Sequence, residues 1–301
     1  MNSLKPRLLI IGAGGFVGQH LARQAASACE VFQADLAPPP GANALAMDMT
    51  SAASVDAGFR QVSPQAVALL AAIADIDQCE ARPDLAEAVN VAGTAHVAEA
   101  CACTGARLLF ISSAAVFDGS RHGYCECDAV SPVSVYGRTK ANAEELITTI
   151  LPARSIILRL ALVIGFAEGA GTNAMLNKFA ARLRAGEPVS LPDYEYRNPI
   201  DAVTLSAFIT ELLQREDASG IFHLGARDSI SRFELGSKLA ERLGFPRQLV
   251  QRQTVPLPGR APRGLDHFLL TGKIQSVCQT RVPSCDEVIE RAIRGSSKSD
   301  L

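Results

Sequence analysis

The feature that most constrains the fold is a glycine-rich loop near the start of the chain. Residues 8–11 are a short apolar run, and the loop Gly12-Ala13-Gly14-Gly15-Phe16-Val17-Gly18 follows it directly, ahead of a helical pattern. Glycines at 12, 15 and 18 allow a tight turn, a close approach of the backbone to a pyrophosphate, and tight packing of helix on strand. The helix N-terminus adds N–H donors and a favourable dipole. This order of elements predicts a dinucleotide site.

Short apolar runs alternate with helical patterns through the first half of the chain. We predict strands at 8–11, 31–34, 66–70, 108–112 and 155–160, with the clearest helices at 84–103 and 135–150. Several runs are apolar at consecutive positions, which is typical of a parallel sheet covered by helices on both faces. The predicted fold is therefore α/β, a Rossmann-type doubly wound parallel sheet with a smaller C-terminal α/β substrate lobe.

The same patterns predict how the chain is divided. Residues 1–164 form the NAD-binding Rossmann domain, and 200–228 return to it because 221–225 has the pattern of one more core strand. Residues 165–199 and 229–295 form the substrate-binding lobe, where prolines interrupt shorter elements. Residues 296–301 are polar and patternless and are expected to fray.

Composition excludes several classes of partner. The chain has 301 residues, 48% of them hydrophobic, with 29 basic and 31 acidic side chains and a net charge of −2. A balanced surface argues against a nucleic-acid partner. No segment approaches the roughly 18 consecutive apolar residues that cross a bilayer, so we expect a cytoplasmic protein without a membrane partner. The eight cysteines lack the spacing of a disulfide framework or of a zinc site. Reduced thiols and no bound metal are the expectation.

Asp35 bears on the choice of cofactor. It ends the second predicted strand, about 20 residues beyond the loop, where a carboxylate accepts hydrogen bonds from the adenosine ribose. A carboxylate there repels a 2′-phosphate, and residues 36–40 contain no Arg or Lys. NAD is therefore favoured over NADP. Asp48 is a candidate for the adenine side of the site, with an exposed loop acid as the alternative.

Tyr136 and Lys140 stand four residues apart at the start of the helix predicted at 135–150. At that spacing both side chains project from one helix face. A neighbouring ammonium lowers the pKa of a phenol and makes it a better acid-base catalyst near neutral pH. Ser113 follows the strand at 108–112, at the carboxyl edge of the sheet where ligands bind, and it is a candidate to hydrogen-bond the reacting oxygen.

These motifs together resemble the extended short-chain dehydrogenase/reductases, the NAD-dependent epimerase/dehydratase superfamily. The matching pieces run in family order at 12–18, 70–72, 90–94, 111–117, 136–140 and 158–159. The resemblance implies an NAD(P)-dependent oxidoreductase whose catalytic set is Ser113, Tyr136 and Lys140. The residues that it implies around NAD are Gly12, Gly15, Phe16, Val17, Gly18, Asp35, Asp48, Met49, Leu70, Ala71, Ala72, Asn90 and Lys140.

Within that family, residues 74–80, 116–119, 172–173 and 261–263 are similar to the dTDP-4-dehydrorhamnose reductases. This similarity implies a nucleotide-linked sugar as substrate and reduction of a 4-keto sugar. Ala114 and Ala115 replace the family's usual acidic and aromatic residues, which argues against a 4,6-dehydratase. Arg197 and Arg263 are candidates to bind the substrate's diphosphate, since arginine binds phosphate oxygens in a bidentate manner. Asn173 is a further candidate to contact the substrate.

Two alternatives stay open at this point. A nucleotide-sugar 4-epimerase would use the same residues but oxidise and re-reduce its substrate on retained NAD. A non-catalytic NAD(P)-binding regulatory subunit, like that of methionine adenosyltransferase, also resembles these reductases. A homodimer is compatible with all three interpretations.

Overall fold

The structure is a computed structural model that describes residues 5–167, 175–256 and 259–294. The strands are β1 (Arg7–Ile11), β2 (Glu30–Asp35), β3 (Ala44–Ala46), β4 (Ala66–Leu69), β5 (Arg107–Ser113), β6 (Ser155–Leu160), β7 (Leu162–Ile164), β8 (Val189–Pro192), β9 (Tyr196–Arg197), β10 (Pro199–Asp201), β11 (Gly220–Leu224), β12 (Ile230–Ser231), β13 (Val250–Gln253) and β14 (Asp266–His267). The helices are α1 (Phe16–Ala25), α2 (Ala52–Val62), α3 (Ile76–Ala81), α4 (Pro83–Glu87), α5 (Gly93–Thr104), α6 (Val135–Ile150), α7 (Met175–Arg184), α8 (Ala202–Gln214), α9 (Arg232–Arg242), α10 (Gly272–Val277) and α11 (Cys285–Arg294).

Within the described residues, seven parallel strands form the central sheet in the order β11-β6-β5-β4-β1-β2-β3. After β1 the chain builds β2 and β3 on one side and then crosses to β4 on the other, so the loops after β1 and β4 diverge. Such a reversal opens a crevice at the carboxyl ends of the strands. The predicted doubly wound α/β fold is confirmed.

The apolar runs of the sequence are explained by burial on both faces of the sheet. In β1, Leu8 and Ile10 belong to the core cluster that also contains residues of α1 and α8. Leu9 and Ile11 belong to the opposite cluster, with residues of α2, α5 and α6. Because successive side chains point to opposite faces, a strand covered on both sides is apolar at every position.

Local capping explains where the predicted helices begin. The Oγ of Ser134 accepts a hydrogen bond from the Gly137 N–H at 3.1 Å, and α6 starts at the next residue after Ser134, at the predicted boundary. The helix predicted at 84–103 forms as α4, one π-helical stretch over Ala88–Ala92, and α5. Gly105, at φ 75°, ends this helix in the left-handed conformation.

Shorter strand pairs follow β6. β7 pairs with β10, β9 lies between β12 and β14, and β8 pairs with β13 beside α9. β11 returns to the central sheet and pairs with β6 in parallel. The proposed division of the chain into a Rossmann domain and a substrate lobe remains a prediction.

The expectation of reduced thiols is wrong at one position. Cys125 and Cys127 are joined in a disulfide, with their Cα atoms 5.4 Å apart, in the loop between β5 and α6. Two cysteines separated by one residue lie close enough for this bond, although their spacing does not fit a disulfide framework. The remaining described cysteines are free: Cys29, Cys79, Cys101, Cys103, Cys278 and Cys285.

The described ranges contain neither a membrane-spanning helix nor a cluster of metal-binding side chains. No helix in 5–167, 175–256 or 259–294 has the length and apolar character that a membrane span requires. The same residues contain no group of His, Cys, Asp and Glu side chains arranged to hold a metal ion.

Candidate active site

The glycine loop brings the backbone of three segments into close contact. Gly12 has φ 92°, a conformation that L side chains rarely adopt, and a Cβ on it would lie 2.6 Å from the Ala71 nitrogen. A Cβ on Gly18 would overlap the Gly12 carbonyl oxygen. The N–H groups of Gly12 and Ala13 donate to the Ala34 carbonyl at 2.9 and 3.1 Å. Glycine is therefore required here to pack α1 onto the ends of β1 and β4.

The N-terminus of α1 is suited to an anion. The helix begins at Phe16 after Gly15, and within the described residues no side chain caps this end and no acid lies in its first turn. The first N–H groups of a helix have no partner inside the helix, and the dipole favours negative charge there. This is the fit that a dinucleotide pyrophosphate needs.

Asp35 ends β2 beside the loop, and Asp48 follows the neighbouring strand β3. Oδ2 of Asp35 accepts a hydrogen bond from the Gly14 N–H at 2.9 Å, so the carboxylate adjoins the glycine loop. Oδ1 of Asp48 accepts from the hydroxyl and N–H of Thr50 at 2.7 and 2.9 Å, and these bonds lower the pKa of Asp48. Met49, the next residue, is buried against Gly93.

The segment after β4 forms another wall of the crevice. The N–H groups of Leu70 and Ala71 both donate to the Ile11 carbonyl, at 2.9 and 3.0 Å, and Ala72 follows them. The side chain of Asn90 fixes this segment through Ile73. Its Oδ1 accepts from the Ile73 N–H at 2.8 Å, and its Nδ2 donates to the Ile73 carbonyl at 3.0 Å. The same Nδ2 donates to Thr139 Oγ1 at 3.1 Å. The side-chain amide of Asn90 is thus hydrogen-bonded to other residues of the protein.

Tyr136 and Ser113 line the same cavity. A Cβ on Gly137 would overlap the Ala115 carbonyl, so α6 sits directly on the turn that follows β5. The Ser113 Oγ accepts from the Ala115 N–H at 3.1 Å. Burial raises the pKa of Tyr136 to about 12, and a hydrogen bond with Ser113 opposes the shift. The phenol is therefore protonated at neutral pH and able to donate.

Lys140 lies one helical turn after Tyr136 and is buried. Its Nζ stands 4.1 Å from the centre of the Phe110 ring. Burial lowers the pKa of Lys140 to about 7, and the Glu144 carboxylate opposes this shift. Lys140 is thus close to its titration point in the protein without ligands.

A buried ion pair supports this helix face from the next turn. Glu144 accepts from Arg159 of β6, with Oε2 2.6 Å from Nη2 and Oε1 2.9 Å from Nε. Ser112 Oγ donates to the same carboxylate. Arg159 also lies 3.4 Å from Nε2 of the buried His223. Ser112 therefore ties β5 to α6.

The cavity has a volume of about 570 Å³ and a second, basic side. The described lining residues include Arg197, Arg232, Arg260 and Arg263 together with Asp75, Asp77 and His267. Glu195 lies among these arginines, with Oε1 2.8 Å from Arg260 and Oε2 3.7 and 3.8 Å from Arg197 and Arg232. The four arginines outnumber the lining acids Asp75 and Asp77 together with the adjacent Glu195, so this side of the cavity carries a net positive charge.

The sequence predicted only part of this basic side. Arg197 and Arg263 were candidates, and both line the cavity, whereas Asn173 lies outside the described residues. Most polar bonds of Arg197 go to main-chain carbonyls, with Nη2 donating to Gly264 at 3.0 Å and Nη1 to Leu265 at 3.1 Å. Burial lowers the pKa of Arg197 to about 10.

Arg232, Arg260 and Glu195 were missed by sequence reasoning. Arg232 begins α9 and is an ordinary helix residue by pattern, and Glu195 lies between two short strands. The one local signal was Arg260, which directly precedes the similar stretch 261–263.

Comparison with known proteins identifies the family. The model of the RmlD substrate binding domain matches residues 6–297. A dTDP-4-dehydrorhamnose reductase from Mycobacterium tuberculosis is 30% identical over 275 residues, 87% of this chain and 84% of that protein. Methionine adenosyltransferase 2 subunit beta from Xenopus tropicalis is 24% identical over 235 residues, 77% of this chain and 70% of that protein.

A solved structure has the same fold and matches nearly all of this chain. It is that of a dTDP-4-dehydrorhamnose reductase from Bacillus anthracis in complex with NADP, with a TM-score of 0.86, 22% identity, and coverage of 98% of this chain and 100% of that one. The prediction of an NAD(P)-dependent oxidoreductase of the extended type is confirmed. The chain belongs to the RmlD substrate binding domain family, within the extended short-chain dehydrogenase/reductases.

Proposed function

We propose that this protein reduces the 4-keto group of a nucleotide-linked sugar with a nicotinamide dinucleotide. The observation that carries the proposal is that one cavity holds both the Tyr136 and Ser113 hydroxyls and the arginines around Glu195. The hydroxyls are suited to a carbonyl oxygen, and the arginines are suited to a diphosphate. A nucleotide sugar brings both groups in one molecule.

The glycine loop and the N-terminus of α1 fit the dinucleotide, because the glycines let the backbone approach a pyrophosphate closely and no described side chain caps the start of the helix. A reduced nicotinamide bound in this crevice supplies the hydride. Asp35 would accept from the ribose hydroxyls, and its carboxylate would disfavour a 2′-phosphate, so we propose NAD over NADP. Lys140 would hold the nicotinamide ribose.

Tyr136 would donate its phenolic proton to the oxygen that becomes a hydroxyl. Because the pKa of Tyr136 is about 12 in the ligand-free protein, the phenol carries its proton at neutral pH. Ser113 would hydrogen-bond the same oxygen and orient it. Positive charge on Lys140, together with that of an oxidised nicotinamide, would lower the pKa of the phenol and stabilise the phenolate left after proton transfer.

The proposal is tested by a thermal-shift panel of dTDP-, UDP- and GDP-sugars with NADH or NADPH, followed by nucleotide oxidation on the matching keto sugar. We expect one nucleotide class to stabilise the protein and dTDP-4-dehydrorhamnose to be reduced. Stabilisation only by free sugars or small alcohols would overturn the substrate class.

Retention of NAD and capture of a partner protein separate the two alternatives from the reductase. A 4-epimerase would copurify with NAD and interconvert two nucleotide sugars without added cofactor. A regulatory subunit would bind NAD(P) but oxidise no NADH on any keto sugar, and would bring down a partner protein in stoichiometric amount.

A further inference from the structure

His267 lines the proposed substrate cavity. It lies in β14, 6% exposed, and its Nε2 is 3.2 Å from the Phe117 carbonyl oxygen. A carbonyl oxygen only accepts, so Nε2 carries the hydrogen and Nδ1 of the neutral ring carries a lone pair. Burial, reinforced by the charge of Arg197, lowers the pKa of His267 to about 3, so the ring is neutral at pH 7.

Among the described residues, no donor is paired with the Nδ1 lone pair of His267. Among the described residues, the side-chain atoms that are both buried and without a hydrogen-bond partner are Glu195 Oε2, Asp201 Oδ2 and Arg215 Nε. Nδ1 is absent from this set, and the hydrogen bond recorded for the ring is that of Nε2. Because His267 lines the cavity, a ligand bound there can reach the ring.

The ring is also held in place. A Cβ on Gly264 would overlap Nε2 of His267, so the glycine makes room for the imidazole. The Gly264 carbonyl in turn accepts from Arg197 Nη2 at 3.0 Å, and His267 pairs with Arg197 across β14 and β9. An acceptor fixed in this way costs little entropy when a ligand binds to it.

We propose that His267 is a specificity-determining residue whose Nδ1 accepts a hydrogen bond from a hydroxyl of the substrate's sugar ring, an inference that rests on the proposed function. The arginines of the cavity have only donors, which suit phosphate oxygens. Of the lining carboxylates, Asp77 is paired with Arg263, and Asp75 accepts from the Gln78 N–H through Oδ1. A hydroxyl is a donor, and His267 offers it an acceptor.

The test compares wild type with His267→Gln and with His267→Ala, using NADH and dTDP-4-dehydrorhamnose. The Gln variant keeps an N–H for the Phe117 carbonyl but has no Nδ1. We expect KM to rise about fivefold to tenfold, the loss of one neutral hydrogen bond, with kcat within about twofold. The Kd of dTDP alone should stay within about twofold, which also shows that the variants fold.

His122→Gln is the matched control, because His122 is an exposed histidine that pairs with Asp266 and does not line the cavity. Its KM should equal that of wild type. An unchanged KM in both His267 variants would overturn this inference but not the proposed function. A rise in the Kd of dTDP as large as the rise in KM would also overturn it, because the contact would then be with the nucleotide. A wild type that reduces no nucleotide-linked keto sugar would overturn the proposed function, and this inference with it.

Discussion

Arg263 and Asp77 join the two sides of the cavity through a forked ion pair. Nη1 of Arg263 donates to Oδ1 of Asp77 at 3.1 Å, and Nη2 donates to Oδ2 at 2.7 Å. The Ala261 N–H donates to the same Oδ1 at 3.0 Å. Because Asp77 lies on α3 and Arg263 precedes β14, one carboxylate tethers the C-terminal arginines to the sheet.

Asp77→Ala should therefore weaken binding of a diphosphate more than it weakens the fold. The change removes three hydrogen bonds that position residues 260–263, and we expect the Kd of dTDP to rise about fivefold, measured by calorimetry. The side chain of Asp77 is 56% exposed, so the free energy of unfolding should fall by less than about 1 kcal/mol.

Asp84→Ala is the control for loss of one negative charge, since Asp84 is an exposed acid in the first turn of the neighbouring helix α4. It should leave the Kd of dTDP unchanged. Equal effects of the two substitutions would mean that net charge, and not the tether, sets the affinity.

Tyr136→Phe tests the proposed proton donor. Removing the hydroxyl should lower kcat by about 10²- to 10⁴-fold, the usual contribution of a positioned acid, while the ring and its packing stay. The Kd of NADH, followed by fluorescence, should be unchanged. Tyr194→Phe removes a hydroxyl that pairs with Gln253 outside the cavity and should keep full turnover. Full activity in Tyr136→Phe would refute the assignment.

The fold was predictable because its signals are local. β6 at Ser155–Leu160 and α6 at Val135–Ile150 form at the predicted residues, since unbroken apolar runs and a serine cap decide them without distant contacts. The glycine loop is also a local signal, because its glycines stand within seven consecutive residues. Its geometry follows from close backbone contacts that only glycine permits.

The basic side of the cavity was less predictable because its charges come from separate segments. Nothing near Glu195 in the sequence indicates that Arg232 and Arg260 pack beside it. The bonds that Asn90 makes with Ile73 and Thr139 fail to appear in the pattern for the same reason. Residue type predicts a polar group, but the tertiary contacts decide whether that group faces a ligand or is used within the protein.

Lys140 should make the stability of the protein depend on pH. Folded Lys140 releases its proton near pH 7, whereas the unfolded chain keeps it to about pH 10.4, so the unfolded state binds more protons in between. The stability of the cofactor-free protein should rise with pH in that window relative to Lys140→Met, by up to about 1.4 kcal/mol per pH unit. Urea unfolding at pH 7 and pH 9 measures the difference.

Lys238→Met is the contrasting control for this measurement. A hydrogen bond with Asp286 raises the pKa of Lys238, so its ammonium stays protonated in both states up to pH 9. The stability difference between this variant and wild type should not change from pH 7 to pH 9. A Lys140→Met difference that is equally flat would show that Lys140 keeps its charge in the fold.

Gly18→Ala tests the close packing of α1 under the dinucleotide. The added Cβ would overlap the Gly12 carbonyl and the Ala13 backbone, which cannot rotate away, so α1 must shift. We expect the free energy of unfolding to fall by about 2 kcal/mol and the Kd of NADH to rise at least tenfold. Gly272→Ala, at the start of α10 with open space around it, should be neutral or stabilising by up to about 1 kcal/mol. A Gly18→Ala protein with wild-type NADH affinity would mean that the pyrophosphate does not depend on this approach of backbone to backbone.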